Sequence, residues 1–254
     1  MTRTALITGA SAGIGRALAH QFAQRGYDLA LGARRMDELQ QLRQEILEHH
    51  RDRRIEIREL DVTRYDEVPA VVEELAAELG GLDIAIANAG VGSAGPVGHG
   101  HARADRAVIE TNLLGAMATI DAAVALFLRQ GRGQIVAISS VAAFRGLPGS
   151  ASYSASKAGI AVYADAVRAE LHGTPIEVTT LYPGYIDTPL NQQMARRPFL
   201  IGVDKGATLI ADKIERVVNS STIPVYPWNV VSRLLRILPT AWIAKMATIE
   251  RAGP

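Results

Sequence analysis

Tyr153 and Lys157 stand four residues apart in Ser-Tyr-Ser-Ala-Ser-Lys (152–157), near the start of a predicted helix. Spacing of i, i+4 puts both side chains on one face. Ser140 follows an apolar run that reads as the preceding strand. A strand end and the next helix start meet at one edge of a sheet, so phenol, ammonium and hydroxyl can converge. Such a set suits a carbonyl that accepts a hydride, because the alkoxide formed must be protonated. A phenol at its ordinary pKa of ~10 is a poor acid–base group near neutrality; lowering it by ~3 units is worth ~4 kcal/mol. A nearby ammonium can supply much of that, so the expectation is a depressed Tyr153 beside a charged Lys157. Ser140 can donate to the carbonyl and orient it. Asn112, in the helix predicted after the fourth strand, could anchor a water leading to solvent. With seven Tyr in the chain and four Lys, chance supplies about 0.1 Tyr-x-x-x-Lys pairs.

A hydride needs a carrier, and a Gly-rich turn offers it a place. Thr8-Gly9-Ala10-Ser11-Ala12-Gly13-Ile14-Gly15 follows the first apolar run and opens a helical pattern. Glycine permits close backbone approach, and a helix N-terminus presents free N–H groups to a pyrophosphate. The spacing is G-x-x-x-G-x-G rather than G-x-G-x-x-G, and alone it fits a plain strand-to-helix turn equally well. The second run ends in Gly32-Ala33-Arg34-Arg35, where NAD sites usually carry Asp or Glu. A 2′-phosphate requires cations, and Arg binds it bidentately. The pattern therefore reads as NADP, with Arg34 the main contact and Arg35 or Ser11 assisting; the alternative is a solvated Arg pair opening a helix. Asp61-Val62 and Asn88-Ala89-Gly90 close the third and fourth runs. There Asp61 could accept from an adenine amino group and the Asn-Ala-Gly turn could border the adenosine ribose, with helix capping and turn punctuation as alternatives. Lys157 could in addition hydrogen-bond the nicotinamide ribose.

The elements that must position these groups are legible as an alternation. Residues 4–8, 28–33, 55–60, 82–87, 133–139 and 176–182 read as strands, with helices near 13–25, 36–49, 64–79, 103–129 and 152–172. In 64–79, Val68, Val71, Val72, Leu75 and Leu79 fall at helical spacing. Strands alternating with helices of this length give an α/β fold of Rossmann type: a doubly wound parallel sheet in three layers, α/β/α. No repeat or linker divides the chain, so residues 1–254 read as one domain.

Composition narrows the function classes. The chain has 254 residues, no Cys and 27 Lys+Arg against 26 Asp+Glu, for a net charge of +1. Absence of Cys removes disulfides, thiolate nucleophiles and sulfur-ligated metals. Near-neutral charge argues against a nucleic-acid surface. The N-terminal apolar run is too short for a signal peptide, and no uninterrupted apolar stretch of about 18 residues suggests a spanning helix. A cytoplasmic protein is the expectation.

The set TGASAGIG (8–15), NAG (88–90), Asn112, ISS (138–140), YSASK (153–157) and PG (183–184) closely resembles the short-chain dehydrogenase/reductase family, over roughly residues 4–190. The resemblance implies a catalytic tetrad of Asn112, Ser140, Tyr153 and Lys157, with Tyr153 as general acid/base. It implies that Gly9, Gly13, Ile14 and Gly15 line the dinucleotide and that Arg34 holds the NADP-selecting position. Pro183-Gly184 and Thr188 match the segment that closes over the nicotinamide. No metal is implied. The activity implied is NADP(H)-dependent interconversion of a small-molecule carbonyl and an alcohol, in a homo-oligomer (dimer or tetramer). An NADP(H)-binding regulator or a membrane-surface interaction protein with the same fold and little turnover is the alternative, and the intact Ser140, Tyr153 and Lys157 argue against a regulator.

Past residue 190 the resemblance thins. Residues 185–215 are expected to form a substrate lid, in which Tyr185, Leu190, Met194, Phe199 and Leu200 suit a largely apolar substrate and Arg196 and Arg197 an acidic end. Residues 216–254 read as an extension. From Arg216 through Ile249 there are four cations and no Asp or Glu. Val230, Val231, Leu234, Leu235 and Leu238 form one helical face, Arg233 and Arg236 mark the other, and Trp228, Trp242 and Lys245 flank or extend the segment. Basic amphipathic helices with Trp can lie on a membrane; peripheral lipid contact, a second subunit and packing on the same domain are the three candidates.

Overall fold

The computed structural model describes residues 2–92, 95–194 and 196–244; Lys245, expected above to extend the tail, lies outside them. Seven parallel strands run in the order β3-β2-β1-β4-β5-β6-β7: β1 (Thr4–Thr8), β2 (Asp28–Ala33), β3 (Ile55–Glu59), β4 (Ile84–Ala87), β5 (Gly133–Ile138), β6 (Ile176–Pro183) and β7 (Ser220–Ile223). The order reverses between β1 and β4, the switch point where such sheets bind ligands beyond their strand ends. The expected three-layer, doubly wound sheet is the observed one.

Strand alternation builds two cores. Ala5, Ile7, Leu29 and Leu31 meet the apolar stripes of α1 (Gly13–Gln24), α2 (Met36–His49) and α7 (Val203–Glu215). Leu6, Ala30, Ala85 and Ala87 face the opposite way, toward α3 (Val68–Leu79), α5 (Ala116–Gln130) and α6 (Ala151–Glu170). Burial on both faces is why these strands carry almost unbroken apolar runs.

Several boundaries differ from the sequence-based expectation. The helix predicted at 64–79 begins at Val68, with Pro69 in its first turn, because Asp61 holds the chain before it in a turn through Thr63. The rod predicted at 103–129 consists of α4 (Ala102–Ile109), a π-helical turn at Glu110–Gly115 and then α5. By length and composition alone this rod could cross a membrane, but half of its most apolar window is buried in the fold. Helix α7 and strand β7 were not foreseen. Residues 203–215, assigned to the lid, instead pack on α1, and 220–223, assigned to the extension, complete the sheet beside β6. Ser220-Ser221-Thr222-Ile223 has no apolar run of its own, so pairing makes it a strand. That leaves 184–202 as the segment expected to act as a lid.

Helix α8 (Trp228–Ile237) packs on its own domain through only part of the predicted stripe, with Leu235 buried and Val231 and Leu238 half-buried. It buries Trp228, Ser232 and Leu235, while Val230 and Leu234 face outward. Trp228 decides this rotation, because its indole fills the space above Gly184.

Candidate active site

The ends of β1, β2, β4 and β5 open on a cavity of about 480 Å³. Its floor is the turn after β1. Gly9 and Gly13 have φ of +68° and +53°, left-handed conformations that favour glycine. A Cβ on Gly9 would stand 2.7 Å from the Ala89 Cα. The N-terminus of α1 has no side-chain cap and no acidic residue in its first turn. Its free N–H groups therefore face the cavity wall made by Gly13 and Ile14, which is what an anionic pyrophosphate requires. Thr188 crosses from the far side, its methyl 3.4 Å from where a Gly13 Cβ would lie. These features fit a dinucleotide.

Two predicted residues take supporting places. Gly15 does not line the cavity; a Cβ there would meet Gly9 O at 2.5 Å and the Asn88 amide at 2.6 Å. Gly15 therefore lets α1 approach the strand ends. Asn88 does reach the wall, but its amide donates to Thr8 O at 2.8 Å, while Thr8 Oγ1 accepts from the N–H groups of Asn88 and Ala89. Asn88 thus ties β4 to β1.

At the outer end, Arg34, Arg35 and Ser11 share the wall. Arg35 donates to Ser11 Oγ at 3.1 Å. Asp61 and Val62 stand opposite. Burial works against the Asp61 charge, but bonds from Thr63 and the nearby Arg34 and Arg64 hold the carboxyl below its ordinary range.

At the inner end, β5 holds α6 by three successive residues. Lys157 Nζ donates to Ile138 O at 2.9 Å, Ser139 Oγ donates to Lys157 O at 2.7 Å, and Ser140 is hydrogen-bonded to Tyr153. Ser140 Oγ also accepts from Ala142 N at 3.1 Å. Ser140, Tyr153 and Lys157 all face the cavity, with Pro183 and Gly184 beside them. Lys157 is 5% exposed, and its Nζ lies 5.9 Å from the Tyr153 ring centre.

The electrostatics differ from the expectation. Burial pushes the Tyr153 phenol up, and the hydrogen bond with Ser140 only partly opposes this. Burial also lowers Lys157 to about 8. The ammonium is turned onto the Ile138 carbonyl and lies over the ring. Burial thus keeps the phenol in its neutral form at physiological pH. The Lys157 value gives a sign for pH dependence. The ammonium persists below about 8 and is lost as pH rises through it, so kcat/KM for the cofactor in the reductive direction should decline on that alkaline limb. A pH profile of initial rates checks this.

Asn112 is not in the wall. It is 1% exposed, inside the π-helical turn, where its Oδ1 accepts from Val91 N at 2.7 Å and its Nδ2 donates to Val91 O at 2.9 Å. It also reaches Ser156 Oγ at 3.3 Å. The side chain fixes the loop that follows Gly90. The extra residue in a π turn is what aims it there.

A second cavity of about 330 Å³ adjoins Ser140 and Tyr153. Its wall comes from 141–150, from Tyr185 and from Leu190 to Met194, with Gly92 and Gly95 opposite. No charged side chain lines it among the described residues. Arg197 pairs instead with Asp187 and donates to Asn191 Oδ1 at 3.3 Å. The acidic-end expectation from Arg196 and Arg197 therefore has no support in the wall.

Several wall residues are not singled out by the sequence, among them Leu60, Val91, Thr111, Ile186 and Asn191. Asn191 Nδ2 donates to Ile186 O at 2.8 Å, closing the lid on itself. Behind the lid, Trp228 is 3% exposed and lies 6.0 Å from the Tyr185 ring and 5.6 Å from Phe199. A Cβ on Gly184 would meet its indole at 2.0 Å. Phe199 has φ +57°, a strained conformation for a bulky residue. Trp228→Ala removes the body that holds these groups and should cost about 3–5 kcal/mol in urea unfolding.

Comparison with known proteins agrees with this geometry. Residues 3–198 match the family model described as short chain dehydrogenase. An uncharacterised oxidoreductase of Mycobacterium tuberculosis is 41% identical over 235 residues, spanning 92% of this chain and 93% of its own. An alcohol dehydrogenase from the archaeon Thermococcus sibiricus, solved with 5-hydroxy-NADP, has a TM-score of 0.78 at 25% identity, covering 87% of this chain and 96% of its own. A short chain dehydrogenase of Mycobacterium paratuberculosis bound to NAD has a TM-score of 0.76 at 26% identity, covering 86% and 94%. The turn, the cavity and the Ser140–Tyr153–Lys157 cluster thus sit in a chain that belongs to the short-chain dehydrogenase/reductase family of oxidoreductases.

Proposed function

We propose that this protein is an NADP(H)-dependent oxidoreductase that interconverts a carbonyl and an alcohol on a largely apolar, uncharged small molecule. The observation that carries the reading is one cavity with Ser140, Tyr153 and Lys157 at one end and Arg34, Arg35 and Ser11 at the other. NADPH supplies the hydride when bound. Ser140 orients the carbonyl, and Tyr153 gives its hydroxyl proton to the carbonyl oxygen. Lys157, buried and charged below about pH 8, supports the phenol and bonds the cofactor ribose. The adjoining uncharged cavity takes the rest of the substrate, where an unpaired carboxylate would pay a large desolvation cost. Assembly as a homo-oligomer belongs to the same reading; exposed Leu128 and Val162 on α5 and α6 support it.

The test is NADPH oxidation over paired ketones and aldehydes, each as a neutral ester and as the free acid. The neutral partner should be favoured by about 10²-fold or more in kcat/KM, the scale of one uncompensated buried charge. Equal turnover of the acids would refute the substrate assignment. Absence of NADPH oxidation across the panel, despite tight NADPH binding, would refute the activity.

A further inference from the structure

Helix α8 has two unlike faces. Trp228, Ser232 and Leu235 are buried against the domain. The outer face shows Val230, Leu234 and Ile237, the last 77% exposed. Val225 and Tyr226 precede it and Trp242 follows, all exposed. These six are among sixteen large exposed hydrophobic residues in the described chain, yet they occupy only the 18 positions from 225 to 242. Such a concentration is unusual for a surface in contact only with water.

The charges beside this stripe have one sign. From 216 to 244 there is no Asp or Glu. Arg233 and Arg236 are exposed on α8. Arg236 lies over the Phe144 ring at 4.8 Å, and the neighbouring Arg145 donates to Thr240 Oγ1 at 3.3 Å. None of these three guanidiniums forms an ion pair with a carboxylate among the described residues. Apolar residues flanked by cations, with Tyr and Trp at the two ends, match an interface that is apolar below and anionic at its surface.

We propose that the outer face of α8, with Tyr226 and Trp242 at its ends, docks on an anionic lipid surface. A two-fold contact with a second copy through this face would bring Arg233 and Arg236 of both chains together, and the segment supplies no carboxylate to neutralise them. Lipid headgroups supply that charge. The inner face of the same helix carries Trp228 onto Tyr185 and Phe199 of the lid, so the docked surface lies directly behind the substrate cavity.

Flotation of the full-length protein with vesicles tests this, using phosphatidylcholine alone and phosphatidylcholine mixed with phosphatidylglycerol. The protein should float with the anionic vesicles, release at high salt, and float weakly or not at all with the neutral ones. A double variant, Leu234→Asp with Ile237→Asp, should abolish flotation while leaving NADPH binding intact, because both positions are exposed. Arg233→Gln and Arg236→Gln should each weaken binding about fivefold, the scale of one cation at an anionic surface. Failure of the wild type to float on either vesicle overturns the proposal. So does flotation unchanged in the double variant. Light scattering that shows the double variant lowering the oligomeric state, with no wild-type flotation, assigns the face to a second copy instead.

Discussion

Tyr153→Phe is expected to lower carbonyl reduction by about 10²–10⁴-fold, the usual contribution of a positioned general acid, with NADPH affinity unchanged. Only the hydroxyl is removed. The ring keeps its place in the wall and under the Lys157 ammonium, 5.9 Å from its centre. The loss should therefore fall on kcat and not on folding. Burial already keeps this phenol protonated, so the wild-type enzyme holds a donor at neutral pH that the variant lacks. Single-turnover oxidation of bound NADPH, set beside a fluorescence titration of NADPH, separates the two effects. Turnover that survives within tenfold would remove Tyr153 from proton transfer. Ser140→Ala should cost less on this scale, since the carbonyl would lose an orienting donor while Tyr153 still supplies the proton.

The contrast between these residues and the lid shows what sequence can reveal. Tyr153 and Lys157 were visible because helical spacing alone places them together, and Ser140 because a strand end must meet the next helix start. The six strands with apolar runs were visible for a similar local reason. β7 was not, because Ser220–Ile223 owes its conformation to pairing with β6. Asn112 was visible as a residue, but its neighbours were not: a π turn cannot be read from apolar periodicity, and it is this turn that sends the side chain to Val91. The depressed phenol was expected from the proximity of an ammonium. The direction reversed because the depth of burial and the turn of Lys157 toward Ile138 depend on packing. In α8 the apolar period is legible but the rotation of the helix is not, because Trp228 and the bare surface of Gly184 decide it together. Arg197 read as a substrate contact until its partner Asp187, ten residues away, was in view.

Arg34→Asp should invert cofactor preference, with the ratio of kcat/KM for NADPH over NADH moving by about 10²–10³-fold. A charge-assisted pair from a guanidinium to a phosphate is worth about 1.5–3 kcal/mol, or about 10–150-fold. The new carboxylate adds repulsion of the 2′-phosphate, and discrimination is greatest when attraction is removed and repulsion introduced at one point. Asp61 already stands within electrostatic reach of Arg34, which adds to the bonds from Thr63 in holding its carboxyl low against burial. Losing that cation leaves two carboxylates near the same pocket edge, which disfavours a phosphate further. The same carboxylate can accept from ribose hydroxyls, so activity with NADH should rise rather than merely persist. Arg35 remains bonded to Ser11, so NADPH binding should weaken without vanishing, and Arg34→Asp with Arg35→Ala should extend the loss. Steady-state rates with both cofactors on one ketone measure the ratio. An unmoved ratio would mean that the guanidinium pair only opens α2 and that Arg34 does not select the cofactor.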